Sequence, residues 1–161
     1  PARRVDPLGS DIRRVDPTDP AVLPLIEKHL ALMRASSPAC SVHAMEASDL
    51  AEAGAVFLAA FLGTVPVAMG ALQRVGADHG ELKSMHVRED LRGRGLAEAV
   101  LVRLLDEARS SGMLRVSLET GSQGVFKPAR AFYRRHGFSE CAPFEGYVED
   151  ANSVFMTREL E

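Results

Sequence analysis

The sequence ELKSMHVREDLRGRGLAEAV, residues 81–100, decides how the rest of the chain is interpreted. It begins as a strand that ends at Val87, continues through a turn with arginines and glycines, and ends in a helix. The helix is predicted because apolar residues recur about every 3.6 positions. These residues are Leu96, Ala97, Val100, Leu101, Leu104, Leu105 and Ala108. The stretch therefore predicts a strand, a tight turn and an amphipathic helix in direct succession.

The turn between this strand and helix, RGRG at residues 92–95, is suited to an anion. Backbone N–H groups in the first turn of a helix lack partners within the helix, and the helix dipole favours negative charge there. Glycines let the backbone approach a phosphate closely because they have no Cβ. Arg88, Arg92 and Arg94 add positive charge. The residues alone therefore predict a phosphate-bearing ligand at this turn, with a solvated basic turn as the alternative.

The pattern Arg92-x-x-Gly95-x-Ala97 resembles the Arg/Gln-x-x-Gly-x-Gly/Ala signature of the GNAT superfamily of N-acetyltransferases. In that superfamily the turn holds the pyrophosphate of acetyl-coenzyme A. Three later segments support the resemblance in the family's order: LETG at residues 118–121, ARAFYRRHGF at residues 129–138 and SVFM at residues 153–156. The combination ELKxMxV, LETG and PFxxY is similar to a bacterial subgroup of small N-acetyltransferases.

The resemblance implies the GNAT fold, an α/β (α+β) domain with a mixed, mostly antiparallel sheet of six to seven strands and about four flanking helices. The strand ending at Val87 and a strand at residues 114–120 are expected to run parallel and splay apart, which opens a cofactor cleft. Residues 11–161 are predicted to form one domain and residues 1–10 a disordered N-terminal extension. Gly70 suggests a β-bulge in the strand at residues 67–74. Alternation places Leu114, Val116 and Leu118 on one side of their strand.

The resemblance also implies acetyl-CoA as co-substrate and a set of residues that bind it. These are Met85, His86, Val87, Arg92, Gly93, Arg94, Gly95, Leu96, Ala97, Phe126 and Tyr133. Backbone N–H groups at residues 85–87 are expected to polarise the thioester carbonyl if the strand has no neighbour there. Tyr133 is the expected catalytic acid beside the cofactor sulfur. The alternative for Tyr133 is a core aromatic residue whose hydroxyl is satisfied within the protein.

The candidate base is Glu81, which alternation places on one strand face together with Lys83, Met85 and Val87. Three roles remain open for Glu81: it relays a proton from the acceptor amine through water, it forms a structural ion pair with Lys83, or it holds a cationic acceptor. Glu119, near the end of the next strand, is the rival carboxylate. The residues expected to contact the acceptor are Glu119, Phe144 and Tyr147, together with the segment at residues 37–45. For Phe144, Tyr147 and that segment the alternative is simple packing at the edge of the fold.

Composition limits the other functions. A net charge of -3 gives no global attraction to nucleic acid or to acidic membranes. The longest apolar run, residues 55–62, is too short to span a bilayer. Cys40 and Cys141 form no CxxC pair, and the five histidines show no metal-ligand spacing. We therefore expect reduced cysteines, a cytoplasmic location, no metal, and no nucleic-acid or membrane partner.

The sequence thus predicts an acetyl-CoA-dependent N-acetyltransferase that transfers an acetyl group to a primary amine, of a small molecule rather than a protein. Direct attack is expected because neither cysteine lies in a motif suited to a nucleophile. The alternative is a catalytically inactive CoA-binding sensor or interaction module. A homodimer is possible because dimers are common in the superfamily, although no residue of the sequence indicates one.

Overall fold

The computed structural model describes residues 6–161, which form seven strands in one mixed sheet with four α-helices packed on its faces. In chain order these elements are β1 (Asp11–Arg14), α1 (Leu23–Ser36), α2 (Ala47–Glu52), β2 (Val56–Leu62), β3 (Val65–Arg74), β4 (His79–Val87), α3 (Leu96–Ser110), β5 (Arg115–Gly121), α4 (Lys127–Arg135), β6 (Ser139–Cys141) and β7 (Ser153–Glu159). The strand order is β1-β2-β3-β4-β5-β7-β6. Only β4 and β5 are parallel neighbours among these strands. The predicted mixed, mostly antiparallel sheet is confirmed.

The sheet separates two apolar cores. On one face, α3 and α4 pack against β3, β4 and β5 through residues such as Leu72, Leu82 and Leu104. On the other face, α1 and α2 pack through residues such as Ile26 and Leu50. The predicted apolar stripe of α3 is largely confirmed, with buried Leu96, Val100, Leu101, Leu104, Leu105 and Ala108. Because α3 follows β4 through residues 88–95, its N-terminus lies beside the end of β4.

The parallel pair β4 and β5 is hydrogen-bonded over only three positions, which are His79↔Arg115, Gly80↔Val116 and Glu81↔Ser117. Beyond these positions β4 remains paired with β3, and β5 remains paired with β7. The two strands therefore separate from Leu82 onward. This gap is the predicted splay. It leaves the edge of β4 that faces β5 without a paired strand, next to the N-terminus of α3.

A β-bulge interrupts the pairing of β3 with β4. Met69 faces His86, whereas Ala71 faces Lys83, so Ser84 and Met85 together oppose Gly70. Ser84 adopts a left-handed conformation with φ +58°. A Cβ on Gly70 would overlap Met85 Sδ, which explains the glycine. Gly70 correctly indicated a bulge, but the additional residue lies on β4 rather than on β3.

The bulge also changes which β4 side chains share a face. Glu81 and Lys83 lie on the α1 side of the sheet, as Lys83 shows by facing Ala71 of that core. Met85 and Val87 instead pack with Leu82 in the core under α3. The predicted common face of Glu81, Lys83, Met85 and Val87 was therefore wrong beyond Lys83. One additional residue in a strand reverses the alternation for every residue that follows it.

One further prediction was wrong in detail, and one short strand was not predicted. Leu114 is 61% exposed and precedes β5, whereas Val116 and Leu118 are buried, so the predicted common side of the three residues was wrong at Leu114. The backbone of Leu114 is satisfied by Asp78 and Leu160 instead of by the sheet. The three-residue strand β6 was not predicted, because three residues are too few to show a period.

The N-terminal segment packs against α3. Of the predicted extension at residues 1–10, residues 1–5 lie outside the described residues. Residues Pro7–Gly9 form a single 3-10 turn, Asp6 forms an ion pair with Arg103 of α3 at 3.4 Å, and Ser10 is buried.

Within residues 6–161, no helix is long and apolar enough to cross a membrane.

Candidate active site

A cavity of about 680 Å³ occupies the gap between β4 and β5. It runs from the N-terminus of α3, past α4, to a second end beneath α1 and the segment at residues 37–45. We call residues 92–97 the glycine turn, and the second end the acceptor end. The acceptor end is lined by His29, Met33, Ser37, Ser41, His43, Glu81, Lys83, Glu119 and Tyr147. The cavity therefore connects the two regions that the sequence assigned to cofactor and acceptor.

The glycine turn presents free backbone donors to the cavity. Gly93 and Gly95 have φ values of +76° and +86°, a conformation that side chains with a Cβ rarely adopt. The first helical hydrogen bond of α3 runs from Ala99 N–H to Gly95 O. The preceding N–H groups therefore have no partner in the helix. This arrangement of open glycine backbone, unpaired donors and helix dipole fits a diphosphate.

Arg92 and Arg94 have different positions in the glycine turn. Arg92 lines the cavity, and its Nε donates to the carbonyl oxygen of Val87 at 3.3 Å. That contact links the turn to the end of β4. Arg94 is exposed and does not line the cavity, whereas Gly93, Gly95, Leu96 and Ala97 do.

The backbone N–H of Val87, at the end of β4, is directed toward the cavity. Arg88 N–H donates to Val67 O at 2.8 Å, so the neighbouring pair of Val87 and Ala68 is a non-hydrogen-bonded pair. The N–H of Val87 consequently points away from β3. It points into the gap, because β5 is paired with β4 only as far as Glu81. The N–H of His86 points to β3 by the same alternation. Val87, one of the expected donors, therefore has the geometry to polarise a carbonyl group in the gap.

Tyr133 lies on the buried face of α4 and lines the cavity. Its ring packs against Phe132 and Phe138, with ring centroids 5.3 and 5.7 Å away. Burial raises the pKa of Tyr133 well above its usual value, so the hydroxyl stays protonated at neutral pH. No residue between 6 and 161 forms a hydrogen bond with this hydroxyl, which leaves it available as a donor to a ligand.

Glu81 is enclosed by two partners. The hydroxyl of Tyr147 donates to Glu81 Oε2 at 2.6 Å, and Lys83 Nζ lies 3.2 Å from the same oxygen. Lys83 also contacts the Tyr147 hydroxyl at 3.1 Å and the carbonyl oxygen of His43 at 3.5 Å. Burial and the Glu81 carboxylate both raise the pKa of Tyr147. The predicted ion pair of Glu81 with Lys83 is thus present, and Tyr147 completes it.

Glu119 is the second carboxylate at the acceptor end. It lies on β5 two residues beyond the last pair with β4, and it is half-buried. Burial raises the pKa of Glu119 to about 7, opposed by the nearby Ser153 hydroxyl and the Lys83 ammonium. Ser153 lies near the carboxylate without the geometry of a hydrogen bond. Glu119 therefore changes its protonation state near neutral pH.

A pair of histidines links α1 to β4, and the sequence analysis missed it. Nδ1 of His29 lies 3.2 Å from Nδ1 of His86, and both rings line the cavity. Burial lowers the pKa of His29 to about 4, with a further contribution from His86. Burial and then Arg92 and Lys28 lower the pKa of His86 to about 4. Both rings are consequently neutral at pH 7. Because 57 residues separate them, no local pattern could have indicated the contact.

The remaining predicted site residues are divided between the cavity and the core behind it. Phe126 lines the cavity and packs on Gly121, where a Cβ would overlap its ring. Phe144 does not line the cavity but packs behind Tyr147 and Phe155, at ring distances of 5.1 and 5.9 Å. Arg130, which the sequence did not single out, donates to the carbonyl oxygens of Gly121 and Gln123 and holds the loop before α4.

The fold and the cavity are those expected of a transferase that holds a diphosphate-bearing acyl donor between two diverging strands. Comparison with known proteins also indicates an acetyltransferase. Residues 23–138 match the Acetyltransferase (GNAT) family, and the chain belongs to this family. It is 41% identical over 145 residues to the uncharacterized N-acetyltransferase YsnE of Bacillus subtilis (strain 168), covering 90% of this chain and 96% of that protein.

Solved structures show the same fold. A protein of Klebsiella pneumoniae, provisionally described as an acyl-CoA N-acyltransferase, superposes with a TM-score of 0.77 at 26% identity, over 94% of this chain and 98% of that one. N-acetylglutamate synthase from Neisseria gonorrhoeae, complexed with coenzyme A and N-acetyl-glutamate, has a TM-score of 0.70 at 20% identity, over 94% of this chain and 35% of that one. The predicted GNAT fold is confirmed. The protein is an acetyltransferase that uses acetyl-CoA as co-substrate and an amine as acceptor.

Proposed function

We propose that this N-acetyltransferase acetylates the primary amine of a small molecule. The observation that carries the proposal is that two chain segments are tied together across the acceptor end. Ser41 donates to Asp150 at 2.6 Å, which ties the segment at residues 37–45 to the segment at residues 142–152. The rings of His43 and Tyr147 also meet, with centroids 5.0 Å apart. Two chain segments joined across this end leave room for a small acceptor more readily than for a folded protein.

Direct attack of the amine on the thioester is part of the proposal. Cys40 is exposed and Cys141 is half-buried, and neither lines the cavity. No thiol is therefore placed to carry the acetyl group. Val87 N–H would polarise the thioester carbonyl, and Tyr133 would donate a proton to the leaving sulfur. The proton acceptor would be one of the two carboxylates at the acceptor end, Glu81 or Glu119.

The test is the release of free thiol from acetyl-CoA by the purified protein with a panel of small amines and peptides. We expect thiol release that depends on an amine, with one acetyl group appearing on the acceptor for each thiol. Glu140→Gln, which removes a surface ion pair with Arg134, serves as a control that keeps activity. Binding of acetyl-CoA without amine-dependent thiol release would support the catalytically inactive sensor instead. Faster transfer to peptides than to any small amine would contradict the small-molecule acceptor.

A further inference from the structure

The two carboxylates at the acceptor end have opposite surroundings. They lie on the two strands that diverge, Glu81 on β4 and Glu119 on β5, and both line the cavity. A general base needs a lone pair that can reach the acceptor amine, directly or through one water. The question is therefore which carboxylate keeps such a lone pair free.

The Glu81 carboxylate already has a hydrogen bond and an ion pair within the protein. Its Oε2 atom receives the Tyr147 hydroxyl at 2.6 Å and lies 3.2 Å from Lys83 Nζ, and its side chain is only 6% exposed. Protonation of Glu81 would weaken both contacts. Because the Tyr147 contact connects β4 to the segment at residues 142–152, Glu81 holds that segment in place at the acceptor end.

Glu119 has none of these constraints. Within residues 6–161, no group makes a hydrogen bond or an ion pair with its carboxylate. The charged groups that act on it are Lys83 and Glu81 across the gap on β4 and Asp150 on the following segment, with the Ser153 hydroxyl on β7. The positive and negative contributions from Lys83, Glu81 and Asp150 oppose each other, so burial dominates the protonation of Glu119.

We propose that Glu119 is the general base of the transfer and that Glu81 is a positioning residue that fixes Tyr147 and Lys83. This inference rests on the proposed function. An acceptor ammonium passes one proton to the Glu119 carboxylate, and the nitrogen lone pair then attacks the thioester carbonyl carbon. The C–N bond forms and the C–S bond breaks, with the electron pair leaving on sulfur. Sulfur takes a proton from Tyr133, which solvent reprotonates. The second nitrogen proton and the Glu119 proton go to solvent.

The pH dependence of kcat/KM separates the two carboxylates. The acceptor should have an amine pKa above 9, so that its own ionisation is distinct. In the wild type the ammonium form is productive, so kcat/KM should rise up to about pH 7 and then level off. In Glu119→Gln the amine must arrive already neutral. Its kcat/KM should be lower by about 10²-fold or more at pH 7.5 and should continue to rise up to the pKa of the acceptor.

Glu81→Gln is the matched control, because it also removes one carboxylate at the acceptor end. We expect this variant to keep the level region above pH 7, with a higher KM for the acceptor because Tyr147 and Lys83 lose their partner. Glu140→Gln should follow the wild-type profile. The inference is overturned if Glu119→Gln levels off at pH 7 as the wild type does, or if Glu81→Gln loses that level region.

A measurement without substrate tests the titration of Glu119 independently. Native Glu119 binds a proton up to about pH 7, whereas the unfolded residue releases it near pH 4.5. The free energy of unfolding of the wild type relative to Glu119→Gln should therefore decrease as pH rises from 4.5 to 7. If the two stability curves run parallel over this window, Glu119 is not the base. If the titration is present but no amine is acetylated, the proposed function fails separately.

Discussion

Among single residues, Tyr133 has the contacts expected of an acid. Its ring packs against Phe132 and Phe138, the residue lines the cavity, and its hydroxyl stays protonated because burial raises its pKa. The sequence left open whether this tyrosine was catalytic or a satisfied core residue. A core tyrosine normally finds a hydrogen-bond partner when it is buried. The absence of a partner in residues 6–161 favours the catalytic interpretation.

Replacing Tyr133 by phenylalanine should lower kcat by about 10²-fold, the low end of general acid catalysis. The loss is limited because thiolate, with a thiol pKa near 8.5, is a tolerable leaving group at neutral pH. The ring contacts remain, so the affinity for acetyl-CoA measured by calorimetry and the unfolding temperature should stay close to those of the wild type. Steady-state thiol release checks the prediction. An unchanged kcat with a rate-limiting chemical step would exclude Tyr133 as the acid.

Ser84 is a strained residue within β4. Its φ of +58° is rare for a residue with a Cβ, and its Oγ is buried without a hydrogen-bond partner. We expect Ser84→Gly to be stabilising or neutral, since relief of the left-handed conformation is worth about 1 kcal/mol. Ser84→Val should be destabilised by more than Ser84→Gly gains, because a β-branched side chain tolerates this conformation poorly. Urea denaturation of both variants measures the difference, and the opposite order would contradict the bulge.

On the scale of secondary-structure elements, the bulge in β4 and the glycine turn together form the donor side of the site. The bulge reverses the alternation after Ser84, so Met85 and Val87 face α3 while His86 meets α1. The sequence indicated a bulge through Gly70, but not which strand carried the additional residue. That information lies in the cross-strand register, which a single strand sequence does not contain.

A pair of glycine variants tests the glycine turn as an element. Gly95 and Gly112 both have positive φ, +86° and +77°, and neither is tightly enclosed. Substitution by alanine should destabilise both by a similar amount, about 1 kcal/mol. Only Gly95→Ala should weaken acetyl-CoA binding, by tenfold or more, because Gly95 lines the cavity at the N-terminus of α3, whereas Gly112 follows the C-terminus of that helix and lies outside the cavity lining. Calorimetric titration of both variants checks this. Equal affinities would mean that the turn does not bind the diphosphate.

For the whole molecule, the sequence was sufficient for the architecture but not for the contacts that shape the acceptor end. The apolar period predicted α3, and the glycine turn and the order of the later motifs carried the family resemblance that implied the sheet and the gap. Tyr147 bonds Glu81 from 66 residues away, and His29 meets His86 from 57 residues away. Contacts of this kind depend on the relative placement of distant segments, which neither composition nor periodicity encodes.

The buried histidine pair should make the whole fold sensitive to acid. Both rings stay neutral in the native protein down to about pH 4, whereas unfolded histidine takes up a proton near pH 6.5. The unfolded state therefore binds more protons between these values, and stability falls as pH drops from 6.5 to 4. In His29→Gln this loss should be smaller. Denaturant unfolding at several pH values measures the difference, and curves that remain parallel would show that His29 does not carry the effect.

The central claim is that the gap between β4 and β5 receives the acetyl group. A crystal structure of the protein with acetyl-CoA tests it most directly. We predict that the diphosphate lies on the glycine turn, the acetyl oxygen within hydrogen-bonding distance of Val87 N, and the sulfur beside the Tyr133 hydroxyl. A structure with the acetyl group outside the gap, or with β4 and β5 paired along residues 82–87, would contradict this account.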